Sequence, residues 1–175
     1  MSRLLGPLEL VGDRWVIGDP KRGKGSCVVL TRAGMEHHER GVPEALSTVA
    51  WSDVIALTVK AASRTWQTSR TGGVVNALGG YHTEAGPEAC AVGAHLPFPR
   101  GGWKVIYSHH RRAYTYQHMF LLGDLFKKAA EAEAAHLLGD PDWLATAVAE
   151  LAPTPVWVPL PGRRVTAFLA SNGAG

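Results

Sequence analysis

Met119-Phe120-Leu121-Leu122-Gly123-Asp124-Leu125-Phe126-Lys127-Lys128-Ala129-Ala130-Glu131-Ala132-Glu133-Ala134-Ala135-His136-Leu137-Leu138 is the stretch at which the apolar period of this chain changes. Leu121, Leu122, Leu125, Ala129, Ala132 and Leu137 recur at helical spacing, with Lys127, Lys128, Glu131 and Glu133 on the other side. The reading is a long amphipathic helix over 119–138. Upstream of it the apolar runs are short and either alternate or are continuous, which is strand behaviour. A run of strands followed by helices makes the chain α+β.

Working back from that helix, residues 113–118 read as a strand that forms a hairpin through His109-His110-Arg111-Arg112 with a strand over 103–108. Another strand covers 90–96, across Pro97-Phe98-Pro99-Arg100-Gly101-Gly102. Further upstream, 49–59 alternates in its second half, with Ile55, Leu57 and Val59 sharing a face. Residues 27–31 form a short buried strand that turns at Arg32-Ala33-Gly34 into 35–39. Residues 8–18 read as a first strand or a bent pair, with Leu8, Leu10, Trp15 and Ile17 inward. Between 61 and 87 the pattern fails: Gly72-Gly73 and Gly79-Gly80 bracket a short apolar run that suits a short helix or a flap.

Beyond the long helix, Gly139 suits the position just past a helix end. Asp140-Pro141 then supplies an N-cap and a first-turn proline for a second helix carrying Trp143, Leu144, Val148 and Leu151. Pro153 and Pro155 stop it, and 156–160 with 165–169 reads as a final strand or an apolar arm. The division is a β domain with its capping helix over 1–139, then a helix and extended arm over 140–175.

Composition limits function more than it directs it. The 175 residues suit one domain, and 46% hydrophobic content supports a core. A net charge of +3 permits an acidic partner but is small for a nucleic-acid binder. Cys27 and Cys90 lie in apolar runs and read as buried thiols of a reducing compartment. With no leader-like segment and no apolar run of membrane-spanning length, the expectation is a soluble cytoplasmic protein.

Two segments carry a family likeness: Val28-Val29-Leu30-Thr31-Arg32-Ala33-Gly34-Met35-Glu36, and Val49-Ala50-Trp51-Ser52-Asp53-Val54-Ile55-Ala56-Leu57. With the helix after the strands, they resemble bacterial pleckstrin-homology-like and GRAM-like domains over residues 8–138. The resemblance implies a curved antiparallel sheet or partly open barrel of about seven strands, plugged at one end by the helix. It also implies that Trp51 packs in the core and that Ser52 or Asp53 satisfies backbone at the turn. The segment over 61–87 is long for that family, and the chain continues well past its capping helix.

Chemistry-bearing residues fall into three groups. Lys21, Arg22 and Lys24 surround a glycine-rich hairpin tip that could turn N–H groups toward an anion. His109, Arg111, Arg112, Tyr114 and Tyr116 combine cations with aromatic faces; strand alternation would put Tyr114, Tyr116 and His118 together. Trp157, Leu160 and Phe168 would anchor the arm on a partner or on a second copy. No metal set, phosphate loop, nucleophile elbow or paired carboxylates occur, so no cofactor and no catalytic residue is assigned. The expected function is a non-catalytic module that binds a protein, or itself. Anion or nucleic-acid binding through the basic hairpins is the first alternative. The second is an enzyme site under 61–87, drawing on His82, His95 or Asp53.

Overall fold

The computed structural model describes residues 4–64, 86, 88–154 and 162–173. Among these the chain is α+β, with nine strands in two antiparallel sheets and three α-helices. The first sheet is a meander of β1 (Leu4–Leu5), β2 (Leu8–Val11), β3 (Arg14–Ile17), β4 (Cys27–Leu30), β5 (Gly34–His38) and β6 (Ser47–Ala50). The second contains β7 (Ala56–Lys60), β8 (Ala91–His95) and β9 (Gly102–Ile106). Within each sheet every strand pairs with its chain neighbour, as short connections favour. Val11 pairs with Arg14 across the two-residue turn Gly12-Asp13, where Gly12 has φ 65. Glycine first in such a turn matches the twist of the flanking strands.

A 3-10 turn, Trp51–Asp53, carries the chain from one sheet to the other. Trp51 is buried and its indole N–H donates to Thr31 O at 2.8 Å, as the core role implied for it requires. The sheets meet without a continuous ladder. Ser26 Oγ donates to Ile106 O (2.8 Å), Ser108 N donates to Ser26 O (2.8 Å), and Trp103 Nε1 donates to Ser47 Oγ (2.9 Å). The sheets therefore touch along β9 but do not close into a barrel.

Helix α1 (Tyr116–Glu131) lies against β7 and buries Leu121, Leu122, Leu125, Phe126 and Ala129 completely. Each large apolar side chain removed from water contributes about 1.5–3 kcal/mol. Helix α2 (Pro141–Leu151) and helix α3 (Gly162–Asn172) add Leu144, Ala147, Val148, Leu151, Val165 and Phe168 to the same apolar cluster. No helix of the described residues is long and apolar enough to cross a membrane.

Several expectations are corrected. The strands number nine rather than about seven: 8–18 is a tight pair, Leu4–Leu5 adds an edge and 49–59 divides into β6 and β7 at Trp51–Asp53, while one expected strand is lost. Residues 113–118 are not a strand. Thr115 caps α1, its side chain accepting from His118 N at 3.2 Å, so the helix starts earlier than the apolar period suggested. It also ends earlier: Glu133 has φ 56, and the chain tightens into a 3-10 turn over Ala135–Gly139. Ile55 precedes β7 and is exposed, while Leu57 is buried. Residues 165–169 are helical rather than extended, because Val165, Phe168 and Leu169 sit at i, i+3 and i+4 on a face packed inward. The second helix forms as read, with Asp140 accepting from Asp142 N (2.9 Å) and Trp143 N (3.2 Å). The glycine pairs at 72–73 and 79–80, His82, Trp157 and Leu160 lie outside the described residues.

Candidate functional site

Lys21 of one basic segment and Arg111 and Arg112 of the other, about ninety residues apart in sequence, line one open cleft of about 530 Å³. Its walls are Glu9, Leu10 and Val11 of β2 with Gly12, then Asp19, Pro20 and Lys21 after β3, then His110, Arg111 and Arg112 before α1. A larger cleft of about 680 Å³ lies by Trp51, Glu131, Glu133 and His136, but it gathers carboxylates instead of cations.

The loop that presents Lys21 is held from several sides. Asp19 accepts from Lys21 N at 2.9 Å. The Arg40 guanidinium donates to Lys21 O (3.1 Å) and Gly23 O (2.8 Å), and Arg40 N donates to Lys24 O (2.9 Å). Arg22 Nη1 donates to His109 O at 3.4 Å and so ties this loop to the opposite wall. Lys21 and Lys24 are exposed, but Lys24 is not part of the cleft lining.

The opposite wall is built on buried aromatic residues. His109 and Tyr114 stack with ring centroids 4.3 Å apart, and both are nearly inaccessible. They hold the exit from β7: His109 Nε2 lies 2.8 Å from Ala62 O, Tyr114 N donates to Ser63 O (2.8 Å), and Ser63 Oγ donates to Tyr114 O (2.9 Å). His109 and Tyr114 therefore scaffold the cleft from within and do not line it. Tyr116 is 71% exposed on the first turn of α1 and also lies outside the lining. Burial raises the Tyr114 phenol well above its ordinary value.

Tyr114 also contacts His110 at two atoms. Its oxygen accepts from His110 N at 3.0 Å and lies 2.6 Å from His110 Nδ1. Burial first, and the Arg112 charge second, lower His110 to about 4, so the ring is neutral at pH 7. A neutral ring that presents an N–H to the Glu9 carboxylate carries its proton on Nε2 and accepts the phenolic proton at Nδ1. Nε2 lies 3.5 Å from Glu9 Oε2. Arg112 is held on three sides: Nη1 is 2.8 Å from Glu9 Oε2, Nη2 donates to Gly6 O at 3.0 Å, and the guanidinium lies 5.6 Å from the Tyr114 ring centroid. Arg111 is exposed at the rim.

The cleft thus sets Lys21, Arg111, Arg112 and the His110 Nε2–H against the carboxylates of Glu9 and Asp19. Glu9 and Asp19 gave no sign in the sequence of belonging to a site. Nothing local marks a strand glutamate as the partner of an arginine about a hundred residues later.

The remaining candidates fall elsewhere. Phe168 is 1% exposed and packs edge-on to Trp143, 5.2 Å between centroids, so this anchor is spent inside the chain's own core. Asp53 pairs with Arg100, and His95 is exposed on β8. Both cysteines are free and buried. Among the described residues no three His, Cys, Asp or Glu side chains are grouped so as to hold a metal ion. Comparison with protein-family models, with curated proteins and with solved structures finds no match to this chain.

Proposed function

We propose that the chain is a non-catalytic binding module that takes an anionic group into the cleft between β2, the Asp19–Lys21 loop and His110–Arg112. One observation carries this reading: two distant basic segments converge on one cleft and are both held in place by bonds from outside it. Arg112, whose guanidinium is already ordered, loses less entropy on binding than a free hairpin tip. Charge-assisted bonds from guanidinium and ammonium groups then supply affinity. On this reading the two sheets and α1 form a pleckstrin-homology-like scaffold, the fold that the sequence resemblance implies.

Titration with inorganic pyrophosphate, followed by backbone NMR shifts at low and high salt, tests it. Saturable shifts at Lys21, Arg111 and Gly12 that weaken with salt are expected. Lys21→Ala or Arg111→Ala should reduce affinity by about tenfold, which is ~1.4 kcal/mol. Absence of saturable shifts at these residues up to millimolar ligand would reject the reading.

Phe98 favours a second reading, a protein partner or a second copy. It is 98% exposed at the tip between β8 and β9, and protruding aromatic residues are frequent anchors of interfaces. A salt-insensitive oligomer that Phe98→Ser converts to a monomer, measured by light scattering, would establish self-association there. A monomer in both forms would reject it.

A further inference from the structure

Resting on the anion-binding reading, we infer that Glu9 is an internal counter-anion that occupies the anion position of the cleft, and that it selects for a dianionic phosphoryl group. Glu9 Oε2 lies 2.8 Å from Arg112 Nη1 and 3.5 Å from His110 Nε2, the place an incoming oxyanion would take. Neither donor depends on Glu9 for its position. Arg112 keeps Gly6 O and the Tyr114 ring as supports. His110 keeps its two contacts with Tyr114, through its backbone N–H and its Nδ1. When the carboxylate leaves, two preformed donors therefore remain aimed at the vacated position.

The Glu9 backbone is fixed while its carboxylate can move. Glu9 pairs with Leu4 on one side and with Val16 on the other, on the strand next to the edge of the sheet. Its side chain is one-third exposed and has open cleft in front of it. A tethered carboxylate competes at an effective concentration on the order of millimolar or more. A singly charged carboxylate or chloride ligand offers Arg112 nothing that Glu9 does not already provide. A dianionic phosphate brings more charge and a third oxygen, which Lys21 and Arg111 at the rim are placed to meet. Displacement thus discriminates by charge.

The test compares the full chain with Glu9→Gln and Glu9→Ala. Inorganic phosphate and acetate are titrated at matched ionic strength above pH 7, where phosphate is largely dianionic, and followed by NMR shifts of Gly12 and Arg111. Thermal unfolding verifies that each variant is folded, and Gln serves where Ala is not tolerated. Both variants should bind phosphate about tenfold tighter than the wild type. Acetate, without measurable effect on the wild type, should become a detectable ligand, so that the preference for phosphate narrows. Wild-type phosphate binding that the variants leave unchanged or weaken would overturn the role of Glu9 and leave the anion site standing. No phosphate binding by any of the three would remove the anion site and the inference with it.

Discussion

Replacing Gly139 with alanine tests whether the turn after α1 is locked to the first sheet by close contact. A Cβ at this position would lie 2.2 Å from Thr31 O and 2.4 Å from Trp51 Nε1. Those two atoms are hydrogen-bonded to each other at 2.8 Å, so the new methyl group would sit against their bond. Neither can yield easily, since one is backbone at the β4–β5 turn and the other belongs to a buried indole. Gly139 does not have a positive φ, so the penalty is one of space and not of backbone conformation. Parting a buried N–H from its carbonyl costs about 1–3 kcal/mol. Shifting packed atoms to admit a methyl group costs about 1–3 kcal/mol more. The sum is about 2–6 kcal/mol, which urea unfolding followed by circular dichroism should read as a lower midpoint at unchanged slope. Trp51→Phe removes the bond together with part of the indole ring, and Gly139→Ala should then cost less in that background, since neighbouring changes do not add. A loss below ~0.5 kcal/mol for Gly139→Ala in the wild type would refute the packing account.

Stability should also depend on pH through His110. Its folded value near 4 lies below the ordinary 6.5, so between them the unfolded chain binds a proton that the folded chain does not. Stability is therefore lost as pH falls through this window, by at most about 1.4 kcal/mol per pH unit from this residue. Burial lowers His37 as well, with the same sign. His110→Gln should flatten the slope of the urea midpoint between pH 6.5 and 5, and an unchanged slope would mean that the fold does not keep His110 neutral. Phe168→Ala should cost about 3–5 kcal/mol with no change in solution mass. A stable variant with a smaller mass would instead place Phe168 in a contact between copies.

The fold was legible where one local pattern had one meaning. The step from period two to helical spacing near Met119 announced α1, and Asp140-Pro141 announced α2, because caps and amphipathic faces are written in adjacent residues. The pattern misled where two meanings were open. Tyr114, Tyr116 and His118 alternate as a strand would, yet Thr115 with the apolar period from Leu121 onward also makes a capped helix, and packing against β7 decides for the helix. Val165, Phe168 and Leu169 follow two prolines that favour extended chain, yet the face they form meets Trp143. The break at Glu133 was hidden for a different reason. Alanines and leucines continue to Leu138, while the close approach of Gly139 to Thr31 and Trp51 is a tertiary contact that no local pattern announces.

The candidate site was half legible, for an electrostatic reason. Runs such as Lys21-Arg22-Gly23-Lys24 and Arg111-Arg112 mark where positive charge is concentrated, but a cation's availability depends on what else bonds to it. Arg22 is drawn to the His109 carbonyl and Arg112 to Glu9, whereas Lys21 and Arg111 stay at the rim. Those partners come from distant parts of the chain, so no count of charges along it separates the tethered cations from the exposed ones. Pairing changes what a cation does without disqualifying it. A guanidinium fixed by a backbone carbonyl and an aromatic ring is a better receptor than a mobile one, provided that its carboxylate partner can be displaced. Arg112 meets the first condition through Gly6 and Tyr114. Whether the cleft binds phosphate in preference to weaker anions therefore turns on Glu9, a residue without any distinguishing pattern in the sequence around it.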